Sequence, residues 1–234
     1  MGRIKLIYDK LLKHFGFQGW WPVTPSCGAE PVYGIKTRTE DQIFEIIIGA
    51  ILTQNTAWTN VEKALIQLNK NKLISIEKIN KINKEELAGL IRSAGYFNQK
   101  AERLKIISEF LLENPINRLK KENIKSLRTK LLKINGVGPE TADSIILYAL
   151  NKPIFVIDAY TKRVCGRMGF REKMYEELQT LFMENLPKDA KVFNEYHALL
   201  VELGKNYCKK KPICKECPVT SLCKKDLNSI KKMD

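Results

Sequence analysis

Three groups of residues in this chain have types and spacings that could do chemistry. The first is Gly136-Val137-Gly138, where two glycines one residue apart let the backbone take positive φ and turn tightly between two apolar helical patterns. Leu127, Leu131 and Ile134 lead into the turn, and Ala142, Ile145, Ile146 and Ala149 follow it. Such a turn leaves amides pointing outward at the start of the second helix, where the helix dipole helps them hold a phosphate oxygen. An ordinary linker between helices uses the same grammar. The second group is a single carboxylate, Asp158, downstream of the turn; it could act on a reacting centre or simply cap the helix that starts at Ala159. The third is Cys208, Cys214, Cys217 and Cys223, separated by five, two and five residues. Four thiolates from one short loop are the ligand set of a 4Fe-4S cluster. Structural zinc also takes four cysteines, but more often as two separated CxxC pairs, and this loop has one.

Composition narrows the partners. At 234 residues the chain can bury a real core as one large domain or two lobes, which excludes a small cysteine-stapled peptide. Forty basic residues against twenty-six acidic ones leave a net charge of +14, which suits a polyanion, although a solvated lysine-rich surface would show the same excess. Arg3, Lys5, Asp9, Lys10 and Lys13 interrupt the first apolar positions, and no apolar run reaches the roughly 18 residues of a membrane span. These features predict a soluble, intracellular protein, expected to be a cytoplasmic monomer. Cys27 and Cys165 lie apart from the cluster and read as buried small hydrophobes.

The elements that must position these residues are helical. Ile4, Ile7, Leu11, Leu12 and Phe15 form one amphipathic face, ending at Gly16. An extended loop with Trp20, Trp21 and Pro22 follows, where the paired rings could cap the core between helices. Asp41 to Thr53 has no polar face and reads as a central buried helix, interrupted by Gln54-Asn55-Thr56. Further helical patterns cover 84–91, 99–112, 159–168, 174–184 and 191–206. Ile154-Phe155-Val156-Ile157 has no partner strand and reads as a short apolar crossing. The fold class is all-α. The break at Asn151-Lys152-Pro153 divides a helical bundle, 36–151, from a second lobe that combines 1–35 with 152–234.

The run from Ile134 to Ala142, followed by Val156-Ile157-Asp158-Ala159-Tyr160-Thr161-Lys162-Arg163-Val164, resembles the helix-hairpin-helix signature of the endonuclease III superfamily of DNA glycosylases. Ala50 to Thr56 resembles the family helix whose glutamine, here Gln54, fills the gap left by a flipped base. Gly95-Tyr96-Phe97-Asn98-Gln99-Lys100-Ala101 resembles the loop that wedges into the duplex, with Phe97 as the candidate ring. The resemblance covers about Asp41 to Cys223. It implies a two-lobed glycosylase fold with duplex DNA across the cleft, the hairpin on one side and Asp158 near the junction. Gly136, Val137, Gly138 and Thr141 would then contact DNA, and Asp158 would be the essential acid. Its cysteines imply a 4Fe-4S cluster, although the family's first gap is usually six residues and this one is five.

Two details refine what the resemblance implies. Bifunctional members place a lysine where this chain has Glu140, so the amine of a Schiff base is missing and monofunctional excision is expected. The Gly19-Trp20-Trp21-Pro22 loop, Phe44 and the Glu140 to Asp143 run look most like the branch that includes 3-methyladenine DNA glycosylases. Trp20 or Trp21 with Phe44 would sandwich a cationic alkylated purine, with Glu140 nearby, and Lys205 could face the same pocket. The rivals are a bifunctional glycosylase and lyase acting on oxidised pyrimidines, with Lys133 or Lys162 as substitute amines, and a non-catalytic DNA clamp.

Overall fold

The computed structural model describes residues 2–26, 28–36 and 39–226, so Cys27 lies outside the described residues. Among them every regular element is helical, and the β pairing is an isolated antiparallel bridge between Val23 and Val32. In chain order the helices are α1 (Arg3–Phe15), α2 (Glu40–Leu52), α3 (Trp58–Lys70), α4 (Ile76–Lys81), α5 (Lys84–Leu90) and α6 (Phe97–Glu113). They continue as α7 (Ile116–Leu119), α8 (Ile124–Leu131), α9 (Pro139–Ser144), α10 (Ala159–Met168), α11 (Tyr175–Glu184) and α12 (Ala190–Asn206). The short α4 and α7 were not legible as periodicity, because four to six residues give too few turns to show a face. A π-helical stretch, Ile145–Ala149, continues α9.

The chain forms two compact units, Trp21–Lys152 and the described residues within Met1–Trp20 and Pro153–Asp234. In the first, α2 is buried from Gln42 to Leu52 without a break, as its unrelieved apolar sequence requires. A capping box starts it: Gln42 N donates to Thr39 Oγ1 and Thr39 N donates to Gln42 Oε1, both at 3.2 Å. Buried Glu45 accepts from Thr24 N at 2.8 Å and from the Thr24 hydroxyl at 2.6 Å, which anchors the segment after Trp21 to this unit. The 21–35 segment, placed with the other lobe on sequence, therefore goes with α2. Helices α4 and α5 pack on α6, and α6 in turn packs on α2.

In the second unit α12 packs against both α1 and α10. Ile154-Phe155-Val156-Ile157 is an apolar crossing without secondary structure, and all four side chains are buried. Phe155 stacks on Phe182 with centroids 4.2 Å apart and meets Phe193 and Tyr196 edge-on at 5.7 and 5.9 Å. The Tyr196 hydroxyl donates to Ile4 O at 2.9 Å, tying α1 to the same cluster. No helix among the described residues is long and apolar enough to cross a membrane.

Phe155 is the hub of that ring cluster, so Phe155→Ala should cost about 3–5 kcal/mol in denaturant unfolding. Phe17→Ala, at a ring 75 % exposed, should stay within about 0.5 kcal/mol.

Candidate nucleic-acid interface and catalytic carboxylate

The hairpin is assembled from local rules and one buried ion pair. Asn123 caps α8, its Oδ1 accepting from Ser126 N at 2.9 Å, and Leu131 and Ile134 bury the approach to the turn. Gly136 has φ +84°, a conformation that L side chains rarely adopt, and a Cβ there would lie 2.5 Å from Arg103 Nε. Val137 plugs the turn inward, its N–H donating to Ile134 O at 3.0 Å, while Gly138 stays exposed and Pro139 opens α9. Arg128 holds Asp143 in a fork, with Nε to Oδ1 at 2.8 Å and Nη2 to Oδ2 at 3.2 Å, which clamps α8 to α9. Asp143, the last residue of the run that resembles the 3-methyladenine branch, is fully buried in that clamp, where an interior carboxylate needs a charged partner. Glu140 is exposed in the first turn of α9, and Thr141 is buried.

Gln54 and Phe97, both expected to contact DNA, are half-buried, and each has an exposed neighbour. Gln54 Nε2 donates to Gly136 O and to Thr141 Oγ1, each at 2.9 Å, and Gln54 Oε1 accepts from Arg103 Nη1. Its amide is therefore tied to the hairpin instead of reaching outward. The exposed amide of that turn is Asn55, at φ +53°. In the loop after η1 (Arg92–Ala94), Phe97 is half-buried with the Arg92 guanidinium 5.9 Å from its ring centre, whereas Tyr96, at φ +47°, is 68 % exposed. Glycine at 95 followed by two aromatics was the available signal, but no periodicity assigns which ring points out.

The aromatic sandwich is not assembled as expected. Phe44 is 0 % exposed, because α2 has no solvated face, and so it offers no face to a base. Trp21 is buried against Trp58 and Tyr148, with centroids 5.4 and 5.1 Å away, and caps the core of the first unit. Trp20 is half-buried in the second unit, where its carbonyl accepts from Asn194 Nδ2 at 2.8 Å. The Lys205 ammonium lies 5.8 Å from the Trp20 ring centre and 3.0 Å from Glu202 Oε1.

Asp158 sits at the N-cap of α10, as its position before an apolar helix predicts. Its Oδ1 accepts from Thr161 N at 2.7 Å, which fixes the carboxylate, and its Oδ2 lies 3.8 Å from Nε2 of buried His197 on α12. Burial pushes His197 below its ordinary value, and the Asp158 charge opposes this in part. Sequence reading missed His197, since a lone histidine on an apolar face carries no motif. Close approach of α10 and α12 depends on Gly204, where a Cβ would lie 2.4 Å from Tyr160 Cδ1.

Cys208, Cys214, Cys217 and Cys223 line one hollow with Arg167 and Tyr207. Buried Arg167 holds the loop by donating to Lys209 O at 2.5 Å, Lys210 O at 3.1 Å and Cys208 Sγ at 3.3 Å. Arg163 adds a bond to Cys208 O at 2.7 Å, and Arg3 one to Leu222 O at 2.7 Å. Burial pushes the Cys217 and Cys223 thiols up, and the neighbouring cysteines reinforce the shift. Among the described residues, no three His, Cys, Asp or Glu side chains are gathered as a group that could hold a metal ion. Cys165 is buried on α10, and burial raises its thiol well above the ordinary range.

A glycine hairpin clamped between short helices in an all-helical chain is the architecture of helix-hairpin-helix DNA-repair proteins. The family profile of the HhH-GPD superfamily of base excision DNA repair proteins matches residues 48–188, and the chain belongs to that DNA glycosylase family. A protein of Methanocaldococcus jannaschii described as a DNA repair glycosylase is 45 % identical over 224 residues, covering 93 % of this chain and 94 % of that one. The H. pylori 3-methyladenine DNA glycosylase, solved with 1,N6-ethenoadenine, superposes with a TM-score of 0.70 at 26 % identity, over 88 % of this chain and 98 % of that one. An endonuclease III bound non-covalently to DNA shares the fold, with a TM-score of 0.75 at 23 % identity, over 99 % of this chain and 100 % of that one.

A depressed folded value for His197 has a definite sign. The neutral ring suits the fold, so its contribution is complete above the ordinary histidine value of about 6.5 and is lost as pH falls through the folded value. Thermal unfolding from roughly pH 7.5 down to 5 should show the wild type losing stability faster than His197→Gln. Parallel acid limbs for the two proteins would contradict the assignment.

Proposed function

We propose that this chain is a monofunctional DNA glycosylase that flips a damaged base, an alkylated purine such as 3-methyladenine, out of duplex DNA and hydrolyses its N-glycosidic bond. The observation that carries the reading is Asp158, buried to 9 % exposure with one oxygen fixed by the α10 cap and the other 3.8 Å from His197 Nε2. Cleavage of the bond builds positive charge on the deoxyribose, and a carboxylate held in place stabilises it without reorganisation. The same group can orient the attacking water. Extrusion of the base costs a few kcal/mol, least for a damaged one. An N-alkylated purine is cationic and leaves readily, so the enzyme need not protonate it.

Trp20 supports the substrate class, since its face already accepts the Lys205 ammonium at 5.8 Å, the attraction a cationic base would use. Gly136, Val137 and Gly138 would hold a phosphate, with Asn55 and Tyr96 as the outward groups that meet the opened duplex in place of Gln54 and Phe97. Exposed Glu140 stands where a lyase needs an amine, which supports hydrolysis that leaves the abasic site uncut.

Four cysteines that line one hollow supply the ligand number and type of a 4Fe-4S cluster, and Cys208, Cys214, Cys217 and Cys223 would hold it. When bound, the cluster would supply a rigid cross-link. The exposed Lys209, Lys210, Lys211, Lys215, Lys224 and Lys225 around it would then be set for phosphates.

A duplex panel scored for released base tests the activity. The wild type should release 3-methyladenine, Asp158→Asn should lower the rate by at least about 10²-fold while still binding the lesion, and strands should break only after alkali. Release of uracil or thymine glycol in place of 3-methyladenine would overturn the substrate, a borohydride-trapped adduct would overturn monofunctional action, and no release at all would leave a clamp. Cys214→Ser should lose the visible absorbance of the cluster and weaken DNA binding before it slows excision in single turnover. Native protein that carries zinc and no iron would overturn the cluster.

A further inference from the structure

Helix α6 carries two cations three residues apart, Lys100 and Arg103, on one face of its first two turns. Lys100 is 1 % exposed, and its ammonium donates to Leu52 O at 2.7 Å, Thr56 Oγ1 at 2.8 Å and Ala94 O at 2.8 Å. Its acceptors are all neutral. Leu52 ends α2, Thr56 closes the turn that carries Asn55, and Ala94 immediately precedes Gly95 and Tyr96. The Thr56 hydroxyl also donates to Ala94 O, closing the loop of bonds between the two turns.

Arg103 extends the same network to the hairpin. Its Nη1 donates to Gln54 Oε1, and Gln54 Nε2 passes the connection on to Gly136 O and Thr141 Oγ1, each at 2.9 Å. The stem of Arg103 lies over the hairpin glycine, since a Cβ on Gly136 would meet Arg103 Cδ and Cγ at 2.7 Å. A buried cation among neutral oxygens is costly, and Lys100 joins the Asn55 turn to the Tyr96 turn, while Arg103 and Gln54 join the Asn55 turn to the hairpin. Both ends of the Gln54 amide are thereby assigned, oxygen toward Arg103 and nitrogen toward the hairpin.

We propose that Lys100, Arg103 and Gln54 are positioning residues that fuse the hairpin, the Asn55 turn and the Tyr96 turn into one rigid reading surface. A phosphate held at the hairpin then sets where Asn55 and Tyr96 meet the duplex. This rests on the reading of these turns as the DNA contacts of a glycosylase.

The test uses full-length protein and two readouts. Single-turnover release of 3-methyladenine is measured from a lesion duplex and from the same lesion in single-stranded DNA, where no duplex has to be opened. Fluorescence of 2-aminopurine in a duplex is measured in the Asp158→Asn background, so that opening is followed without chemistry. Arg103→Ala and Gln54→Ala should each slow duplex release by about tenfold or more and reduce the 2-aminopurine signal, with single-stranded release within about twofold of wild type. Arg103→Lys should recover part of the loss, and the double variant should be no slower than the slower single one, as members of one network are non-additive. Lys100→Met, if it folds, should show the same split between duplex and single strand. Equal losses on both substrates, multiplying losses in the double variant, or unchanged duplex opening would overturn the proposal. Wild-type protein that opens the 2-aminopurine duplex through Arg103 and Gln54 yet releases no base would sink the glycosylase reading and leave this one standing.

Discussion

Burial of α2 on every side is the constraint from which the first unit follows. A helix end has carbonyls with no partner inside the helix, and when that end lies in the interior, water cannot supply the missing donors. Lys100 supplies one to Leu52 O and the Thr53 hydroxyl donates to Ala50 O at 3.0 Å. At the other end Glu45 and Gln42 hold the 21–26 segment through Thr24. The turns that emerge from this core are ordered by the groups that satisfy it.

The hairpin shows the same economy of charge. Asp143 and Arg128 lock its two helices from below, while Gly136 and Gly138 keep side chains away from the outer side of the turn. The phosphate site proposed for this turn would be made of backbone, with no side chain to titrate or to move, so its geometry would be that of the fold. Membership of the HhH-GPD superfamily is consistent with this construction, since the matched span of 48–188 begins inside α2 and includes the hairpin and Asp158.

In the second unit the carboxylate and the cysteine loop share one support. Helix α10 begins with Asp158 as its cap and carries Arg163 and Arg167, whose guanidinium groups hold the backbone of the cysteine loop. Gly204 lets α12 approach α10 closely, which brings His197 to Asp158. The helix that holds the backbone of the loop thus begins at the acid.

The sequence by itself determined the helical class, the buried course of α2, the glycine turn, the cap at Asp158 and the grouping of four cysteines. Each rests on spacing within a few residues, where helix period, capping and turn chemistry are decided. What it did not carry was the direction of particular side chains. Gln54 against Asn55 and Phe97 against Tyr96 differ by which residue takes positive φ at a helix end, and that depends on the donors waiting in the folded core. Trp20 and Trp21 are neighbours in the chain yet serve different units. Lys100 and Arg103 look like two more cations in a basic chain until tertiary structure places neutral acceptors from two turns around them, one of which, Gln54, bonds on to the hairpin. Only the fold could decide these, because the partner of a buried polar group is chosen by packing between segments far apart in sequence.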